Sequence, residues 1–155
     1  MPDVFTKAKR SAVMARIRSR GNAATELRMI ALFRAHGFTG WRRNARVFGR
    51  PDFVFRAAKV AVFVDGCFWH GCPRHATKPA TRAAFWAAKF SRNKARDREV
   101  SRTLRKAGWT VLRVWECALA SKGWPRVARR IAQALGRGIV FRPAAITLRA
   151  HDSMS

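Results

Sequence analysis

The segment from Pro51 to His75, PDFVFRAAKVAVFVDGCFWHGCPRH, concentrates the residue types that bind metal ions. Asp52 and Asp65 flank two short hydrophobic runs, and a cluster of cysteine, histidine and aromatic residues follows directly. Carboxylates suit a hard cation such as Mg²⁺, whereas cysteine and histidine suit Zn²⁺. A strongly basic chain that carries both kinds of ligand is typical of a metal-dependent enzyme acting on nucleic acid.

Four residues supply a Cys₃His set, which is common in structural zinc sites. They are Cys67, Cys72, His75 and Cys117. Such a site would join the segment after the second hydrophobic run to the end of a later strand. His70 would then not be a zinc ligand. The C-x₄-C-x₂-H spacing is not a common zinc-finger spacing, so an alternative stays open in which Cys67 and Cys117 are buried core thiols.

Phosphodiester hydrolysis requires a metal that neutralises the phosphate, an activated water and a proton donor for the leaving oxygen. Asp52 is the best candidate for a magnesium ligand, and His70, beside two aromatic residues, is the best candidate for the general base. Each has a simpler explanation, because Asp52 could be a turn residue after Pro51 and His70 a further zinc ligand. The residue types alone do not decide between them.

The strands that position these residues can be predicted from β-branched and aromatic runs. Residues 53–55 and 60–64 form two of them, joined by the short polar link 56–59. If the link closes a hairpin, Asp52 begins the first strand and Asp65 ends the second, so both carboxylates lie at the same end of the ribbon. A third strand over about residues 109–116 ends next to Cys117.

Two helices are predicted before the strands. A basic amphipathic helix covers about residues 7–18, and a second helix begins at an N-cap on Asn22 and ends at Gly37. The stripe of the second helix comprises Leu27, Ile30, Ala31 and Arg34.

A long basic helix over about residues 81–107 carries an acidic residue on an apolar face. Thr81 is its predicted N-cap and Gly108 its end. Residues spaced by three or four share one face, and here they are Trp86, Phe90, Asn93, Asp97, Val100 and Leu104. Burying the Asp97 carboxylate on such a face would be costly unless something binds it.

The last predicted helix opens at Trp124-Pro125 and ends at Gly136. Its inward residues would be Val127, Ile131, Ala134 and Leu135. Residues 137–155 carry little pattern, and we expect this C-terminal extension to be partly disordered. The chain is therefore predicted to be a single α/β domain over residues 1–136, with a small mixed sheet flanked by helices.

The chain has 155 residues, with 33 Lys and Arg against 8 Asp and Glu, which gives a formal charge of +25. Self-repulsion of this size favours a polyanionic partner, DNA or RNA, over an anionic membrane. There is no apolar run of the roughly 18 residues that a membrane span needs. The N-terminus lacks a signal-peptide core and the cysteines are odd in number, so we expect a cytoplasmic protein with reduced thiols.

Several short motifs together are highly specific. GRPDFVF, GCFWH, PATR followed by FW, and VWEC occur in order between about Ala8 and Cys117, and over this span the chain resembles the very short patch repair (Vsr) DNA mismatch endonucleases. The resemblance implies a restriction-endonuclease-like fold, one structural zinc ion and catalytic magnesium. It also implies nicking of DNA 5′ of the thymine in T:G mismatches that arise from deamination of 5-methylcytosine.

The resemblance also implies roles for individual residues. Asp52 matches a metal-binding aspartate, the Val64 carbonyl a magnesium contact, and His70 the catalytic histidine. Asp97 matches an aspartate that supports this histidine, and Glu26 an acidic residue near the metal waters.

Two places depart from the family pattern. Cys67 and Cys117 match zinc ligands, and Cys72 and His75 would fill the two middle positions. Asp65 stands where the best-known member has a second active-site histidine. A carboxylate does not donate a proton at neutral pH unless its pKa is raised, so Asp65 is expected to bind the metal or orient a water.

Three aromatic residues, Phe68, Trp69 and Trp86, are implied to form a wedge that enters the base stack beside the mismatch. The alternative for Trp86 is core packing, which we assign to the other tryptophans, Trp41, Trp109, Trp115 and Trp124. Candidate phosphate contacts are Arg16, Arg18, Arg20, Lys89, Arg92, Lys94 and Arg96. The basic N-terminal helical arm is expected to grip DNA from the other side, as in the family.

We therefore predict a monomeric, nucleoid-associated enzyme whose partners are mismatched double-stranded DNA and other repair proteins. One alternative is a non-enzymatic, zinc-stabilised DNA-binding module, which the paired aspartates disfavour because acids on a phosphate-facing surface repel DNA without a metal. A second alternative is a restriction or homing nuclease of the same fold that cuts fully paired DNA. An RNA-binding protein is a weaker alternative, because the chain has no RNA-recognition motif.

Overall fold

A computed structural model describes Thr6, Ala8 and residues 23–67, 70–75 and 80–136 of the chain. Its centre is a four-stranded sheet in the order β1-β2-β3-β4. The strands are β1 (Trp41–Arg43), β2 (Phe53–Phe55), β3 (Val60–Asp65) and β4 (Thr110–Trp115). The first three are antiparallel neighbours, whereas β4 runs parallel to β3. The sheet is therefore mixed, as predicted.

The parallel pair dictates how the chain continues after β3, since parallel strands need a crossover connection. Helix α2 (Ala83–Lys106) lies in this crossover. Its residues Val100 and Leu104 pack against Ala61, Phe63 and Val111 on one face of the sheet. The chain between β3 and α2 carries the cysteine and histidine segment, so the crossover also positions the candidate site.

The opposite face of the sheet is covered by α1 (Arg28–Ala35) and α3 (Trp124–Ala134). The buried cluster there includes Phe33, Phe53, Val62, Val127 and Ile131. Alternation along β3 explains the two clusters, because successive side chains point to opposite faces and each face meets a helix. Helices thus flank the sheet on both sides, and the predicted α/β class is confirmed.

Two local predictions are wrong, and one strand was not predicted. The buried residues of α1 are Met29, Ile30, Leu32 and Phe33, whereas Leu27 is 52% exposed. A π-helical turn, Ala23–Leu27, precedes α1, and its extra residue changes which side chains face the core. The long helix begins at Ala83 rather than on a Thr81 cap, because Arg82 adopts a left-handed conformation with φ of 57° and no side chain caps the helix.

A further difference is β1, which was not predicted because two of its three residues are arginines and none is β-branched, whereas the equally short β2 is Phe-Val-Phe. Trp41 in β1 nevertheless contacts the rings of Phe33 and Phe53, as expected of a core tryptophan. Other boundaries are close to the predictions. Gly37, Gly108 and Gly136 follow the three helices with positive φ, and α3 buries Val127 and Ile131.

Apart from Ala8, the predicted N-terminal helix of residues 7–18 lies outside the described residues, as do the Asn22 cap and the extension 137–155. Within the part of the chain that the structure describes, no helix combines the length and apolar character that crossing a membrane requires.

Candidate active site and zinc centre

Asp52 lies where the hairpin geometry predicts. Phe53 of β2 pairs with Val62 of β3, so Asp52 sits beside the C-terminal end of β3. Its Oδ2 accepts a hydrogen bond of 2.7 Å from the backbone N–H of Val64. This bond fixes the direction of the carboxylate and brings it next to the Val64 main chain.

His70 forms a dyad with Asp97. His70 Nδ1 donates to Asp97 Oδ2 over 2.5 Å, which joins the segment after β3 to the middle of α2. Asp97 therefore has the partner that its place on the apolar stripe requires. Within the dyad, Asp97 occupies Nδ1 of the imidazole, so Nε2 is the nitrogen left to exchange a proton with another molecule.

The dyad changes the proton affinity of both partners. Burial alone would lower the pKa of His70, but the hydrogen bond to Asp97 and the charges of Asp65 and Asp97 raise it above its usual 6.5. Burial would raise the pKa of Asp97, but the bond and charge of His70, with a contribution from Arg113, lower it below 3.8. Asp97 is thus held as a carboxylate that favours a proton on His70.

Asp65 is bound by an arginine that the sequence reasoning missed. Arg113 Nη1 donates to both Asp65 oxygens, at 2.7 and 2.9 Å. The only sequence signal was a charged residue inside the otherwise apolar run of β4, TVLRVW. Asp65 is buried, and a buried carboxylate needs such a partner.

These groups line one cleft with a volume of about 540 Å³. Its walls include Asp52, Asp65, His70, Asp97 and Arg113, together with Gly49, Arg50 and Arg96. Three carboxylates, one imidazole and three guanidinium groups therefore surround a space open to solvent. Such a mixture can hold a cation on the acidic side while arginines attract an anion such as phosphate.

Glu26 is not among the residues that line this cleft. It is buried in the turn Ala23–Leu27 and forms an ion pair with Arg43 of β1. The role near metal-bound waters that the resemblance implies for Glu26 therefore stays a prediction.

The four candidate zinc ligands come together from two parts of the chain. The ligand atoms of Cys67, Cys72, His75 and Cys117 all lie within 4.8 Å of one another. Cys72 Sγ lies 3.8 Å from Cys117 Sγ and 3.8 Å from His75 Nδ1. Two thiolates bound to one tetrahedral zinc at about 2.3 Å would be about 3.8 Å apart, so the donor set fits Zn²⁺.

The thiols of this cluster differ in proton affinity. Burial, together with the neighbouring thiols, raises the pKa of Cys67 to about 12. Burial would also raise the pKa of Cys72, but backbone hydrogen bonds at Arg74 and His75 and the His75 side chain lower it to about 6. His70 is bonded to Asp97 instead, so the structure separates it from this cluster.

Trp86 belongs to an aromatic group on the first turns of α2. Its ring lies 5.6 Å from Phe85 and 5.9 Å from Phe90. Lys89 Nζ is 5.3 Å from the Trp86 ring, and Phe85 is 43% exposed. The group is accessible rather than buried in the core. Phe68 and Trp69, the other members of the predicted wedge, lie outside the described residues.

Some of the predicted phosphate contacts lie within the described residues and others lie outside them. Arg92, Lys94 and Arg96 are exposed on α2, whereas Lys89 is half-buried against the aromatic rings. Arg16, Arg18 and Arg20 lie outside the described residues. The four cations on α2 therefore form a basic surface that runs from the aromatic group to the cleft, which Arg96 lines.

Known proteins are similar to this chain in sequence. Residues 2–78 match the family model described as DNA mismatch endonuclease Vsr. The DNA mismatch endonuclease Vsr of Escherichia coli (strain K12) is 42% identical over 123 residues, which cover 79% of this chain and 78% of that protein.

Two further relatives are named as nicking enzymes. The Type II nicking enzyme V.NmeAIP of Neisseria meningitidis is 38% identical over 124 residues, covering 79% of this chain and 87% of that protein. The Type II nicking enzyme V.NaeI of Lentzea aerocolonigenes is 58% identical over 67 residues, and this match spans 40% of its length.

Proposed function

The chain belongs to the DNA mismatch endonuclease Vsr family, and from that premise we propose that it nicks DNA 5′ of the thymine in T:G mismatches. One observation carries the proposal: the His70–Asp97 dyad and Asp52 line a single cleft in a chain of charge +25. An imidazole general base beside a carboxylate that can hold a metal is the pairing that phosphodiester hydrolysis uses.

Asp52 and the backbone carbonyl of Val64 are the proposed contacts for Mg²⁺. Both offer oxygen, and Mg²⁺ takes one or two carboxylates while keeping several waters. When bound, the ion supplies charge neutralisation of the phosphate and a lowered pKa for the attacking water. Asp65 is not a ligand in this proposal, because both its oxygens accept from Arg113.

His70 is the proposed general base. With Nδ1 donating to Asp97, Nε2 takes a proton from the attacking water, and the positive charge that develops on the ring is stabilised by the Asp97 carboxylate. Asp97 keeps the ring in one orientation and one tautomer. This is the arrangement in which the base needs no reorganisation during the reaction.

A structural Zn²⁺ on Cys67, Cys72, His75 and Cys117 is the second proposed ion. It would tie the segment after β3 to Cys117, which lies in the 3₁₀ turn Glu116–Leu119 directly after β4. His70 lies between two of these ligands in sequence, so the zinc would also hold the general base in place.

The aromatic group around Trp86 supports mismatch recognition. An aromatic wedge pays an unstacking penalty of a few kcal/mol, which is smaller at a mismatched pair. The exposed Phe85 and the cations of Arg82 and Lys89 against these rings suit contact with bases and phosphates. Since every proposed group comes from one chain, we propose that a monomer acts.

The test is magnesium-dependent nicking of a T:G duplex by the purified chain. Asp52→Ala and His70→Ala should each lower the rate at least 10²- to 10⁴-fold, the usual contribution of such groups. Glu99→Ala, which removes an exposed carboxylate from α2, should leave it unchanged. Unchanged nicking in either of the first two variants would contradict its assignment.

A restriction-type nickase is the second candidate, favoured by the relatives named as Type II nicking enzymes. A fully paired duplex of the same sequence distinguishes the two functions. Nicking of T:G and paired duplexes at equal rates would establish the second candidate, and binding without nicking in Mg²⁺ would leave a non-enzymatic DNA-binding module.

A further inference from the structure

Arg113 lies at the junction of three elements of the cleft. On β3 and β4 the face toward α2 carries Ala61, Phe63 and Val111, and strand alternation puts Asp65 and Arg113 on that same face. The guanidinium of Arg113 lies 4.5 Å from the Phe63 ring centroid. The charged pair Asp65 and Arg113 therefore borders an otherwise apolar interface at the wall of the cleft.

Each nitrogen of this guanidinium has its own partner. Nε donates to Ser101 Oγ at 3.1 Å, and Nη1 donates to both Asp65 oxygens. Nη2 lies 3.4 Å from the Asp97 carbonyl and 3.4 Å from Asp97 Oδ1. Arg113 thus holds β3 and α2 at a fixed separation through a planar fork that lysine does not have.

Two carboxylates compete for the same nitrogen of His70. Asp97 Oδ2 is 2.5 Å from Nδ1, and Asp65 Oδ1 is 3.9 Å from it. A rotation of the Asp65 side chain would bring it within hydrogen-bond distance. The bidentate contact with Arg113 holds Asp65 away and neutralises its charge, while Nη2 holds Asp97 toward the ring.

We propose that Arg113 is a positioning residue that reserves His70 Nδ1 for Asp97 by engaging Asp65. The inference rests on the proposed role of His70 as general base. In this arrangement Asp65 is the counterion of Arg113. Pairing with Arg113 neutralises the Asp65 carboxylate, so Asp65 leaves His70 Nδ1 to Asp97. A neutral side chain at position 65 would have the same effect without a partner.

The first test is Arg113→Met in the zinc-loaded full chain, with Arg126→Met, an exposed arginine of α3, as the matched control. We expect kcat for nicking to fall roughly 10- to 100-fold, as for other residues that orient a catalytic side chain. KM for the duplex should change little, because the nitrogens of Arg113 are already engaged by Ser101, Asp65 and Asp97. Unchanged kcat would overturn the proposal.

The second test reads His70 without catalysis. In ¹H–¹⁵N spectra at one fixed pH, the wild-type Nδ1–H should resonate far downfield, typical of a strong bond to a carboxylate. In Arg113→Met this resonance should move or broaden, and Asp97→Asn marks the fully broken bond. An identical resonance in wild type and Arg113→Met would overturn the proposal, whether or not the chain nicks mismatched DNA.

A double variant identifies Asp65 as the competitor. Adding Asp65→Asn to Arg113→Met removes the unpaired charge, so both kcat and the His70 resonance should return most of the way to wild type. If the double variant stays as slow as Arg113→Met, Asp65 is not the competitor. Arg113→Gln provides the same readings if the methionine variant does not fold, because it also removes the positive charge and the fork but keeps a polar amide.

Discussion

The orientation of His70 depends on one acceptor, the Asp97 carboxylate. Asp97 stays ionised because its pKa is lowered, and His70 gains proton affinity because its pKa is raised. The stabilisation from the His70 shift is present at low pH and is lost as pH rises through the raised pKa. The Asp97 contribution is lost as pH falls through its lowered pKa, so the ion pair is complete between the two.

The nicking rate should therefore fall on the acid side as His70 becomes protonated. Since burial opposes the raised pKa and the bond to Asp97 is its main cause, Asp97→Asn should move this acid limb to lower pH, while also lowering the maximal rate. A pH profile of single-turnover nicking measures the shift.

Glu99→Ala is the control for this profile, because it removes a carboxylate from the same helix without touching the dyad. If the acid limb of Asp97→Asn coincides with that of wild type, the titrating base is a group other than His70.

At the scale of elements, the loop before β2 must approach α2 closely to place Asp52. A Cβ at Gly49 would lie 2.2 Å from Val100 Cγ1, and Gly49 has φ of 73°. Val100 is one helical turn from Asp97, so this contact sets the width of the cleft. Glycine is required here by both space and backbone conformation.

Gly49→Ala should lower the free energy of unfolding by about 2–4 kcal/mol, because an overpacking term of about 1–3 kcal/mol adds to the backbone penalty. Gly37→Ala is the matched control, since its φ is 68° and nothing lies within 4 Å of its added Cβ. It should lose only about 1 kcal/mol. Urea denaturation of both variants measures the difference, and equal losses would mean that Val100 yields freely.

The proposed zinc centre also acts at the scale of elements. Removing Zn²⁺ with a zinc-selective chelator, or replacing Cys72 with serine, should lower the melting temperature and the nicking rate together. Zinc content by elemental analysis and thermal unfolding are the measurements, and re-addition of Zn²⁺ to the chelated wild type should restore both. A fully stable, active chain without zinc would exclude the proposed structural role.

The elements that carry strong patterns could be predicted from sequence. β2 and β3 are rich in β-branched and aromatic residues, and α2 and α3 have a clear helical periodicity. The hairpin geometry also predicts that Asp52 and Asp65 lie at one end of the ribbon. The face of α1 could not be predicted, because the π-helical turn Ala23–Leu27 alters the phase that the pattern assumes. Single-residue detail was equally hidden, because the contact between Asp65 and Arg113 joins residues 48 positions apart in the sequence.

At the scale of the whole molecule, net charge is expected to supply much of the affinity for DNA. A formal charge of +25 produces affinity through counterion release, which is independent of sequence. The aromatic group and the cleft then have to supply discrimination. The basic residues along α2 and the charge of the remaining chain share this role, so no single arginine should dominate affinity.

Binding to a paired duplex should accordingly weaken steeply with salt, by about 10³- to 10⁵-fold between 50 and 200 mM for roughly 6–10 neutralised phosphates. Arg92→Met should reduce the magnitude of the slope by about one if this exposed side chain of α2 contacts a phosphate. Arg126→Met on α3 should leave it unchanged. Fluorescence anisotropy over a salt series measures both, and a shallow slope would argue against extensive backbone contact.

The bond from the Val64 amide to Asp52 has a consequence for how relatives can diverge. The main-chain donor is kept in every substitution at position 64 except proline, which has no backbone N–H, so other side chains are compatible with the same carboxylate orientation. An insertion or deletion of one residue between Asp52 and Val64 is different, because it would turn the following side chains to the opposite face and swap Asp65 with its neighbour. Relatives of this chain should therefore tolerate substitutions in the hairpin far better than insertions or deletions.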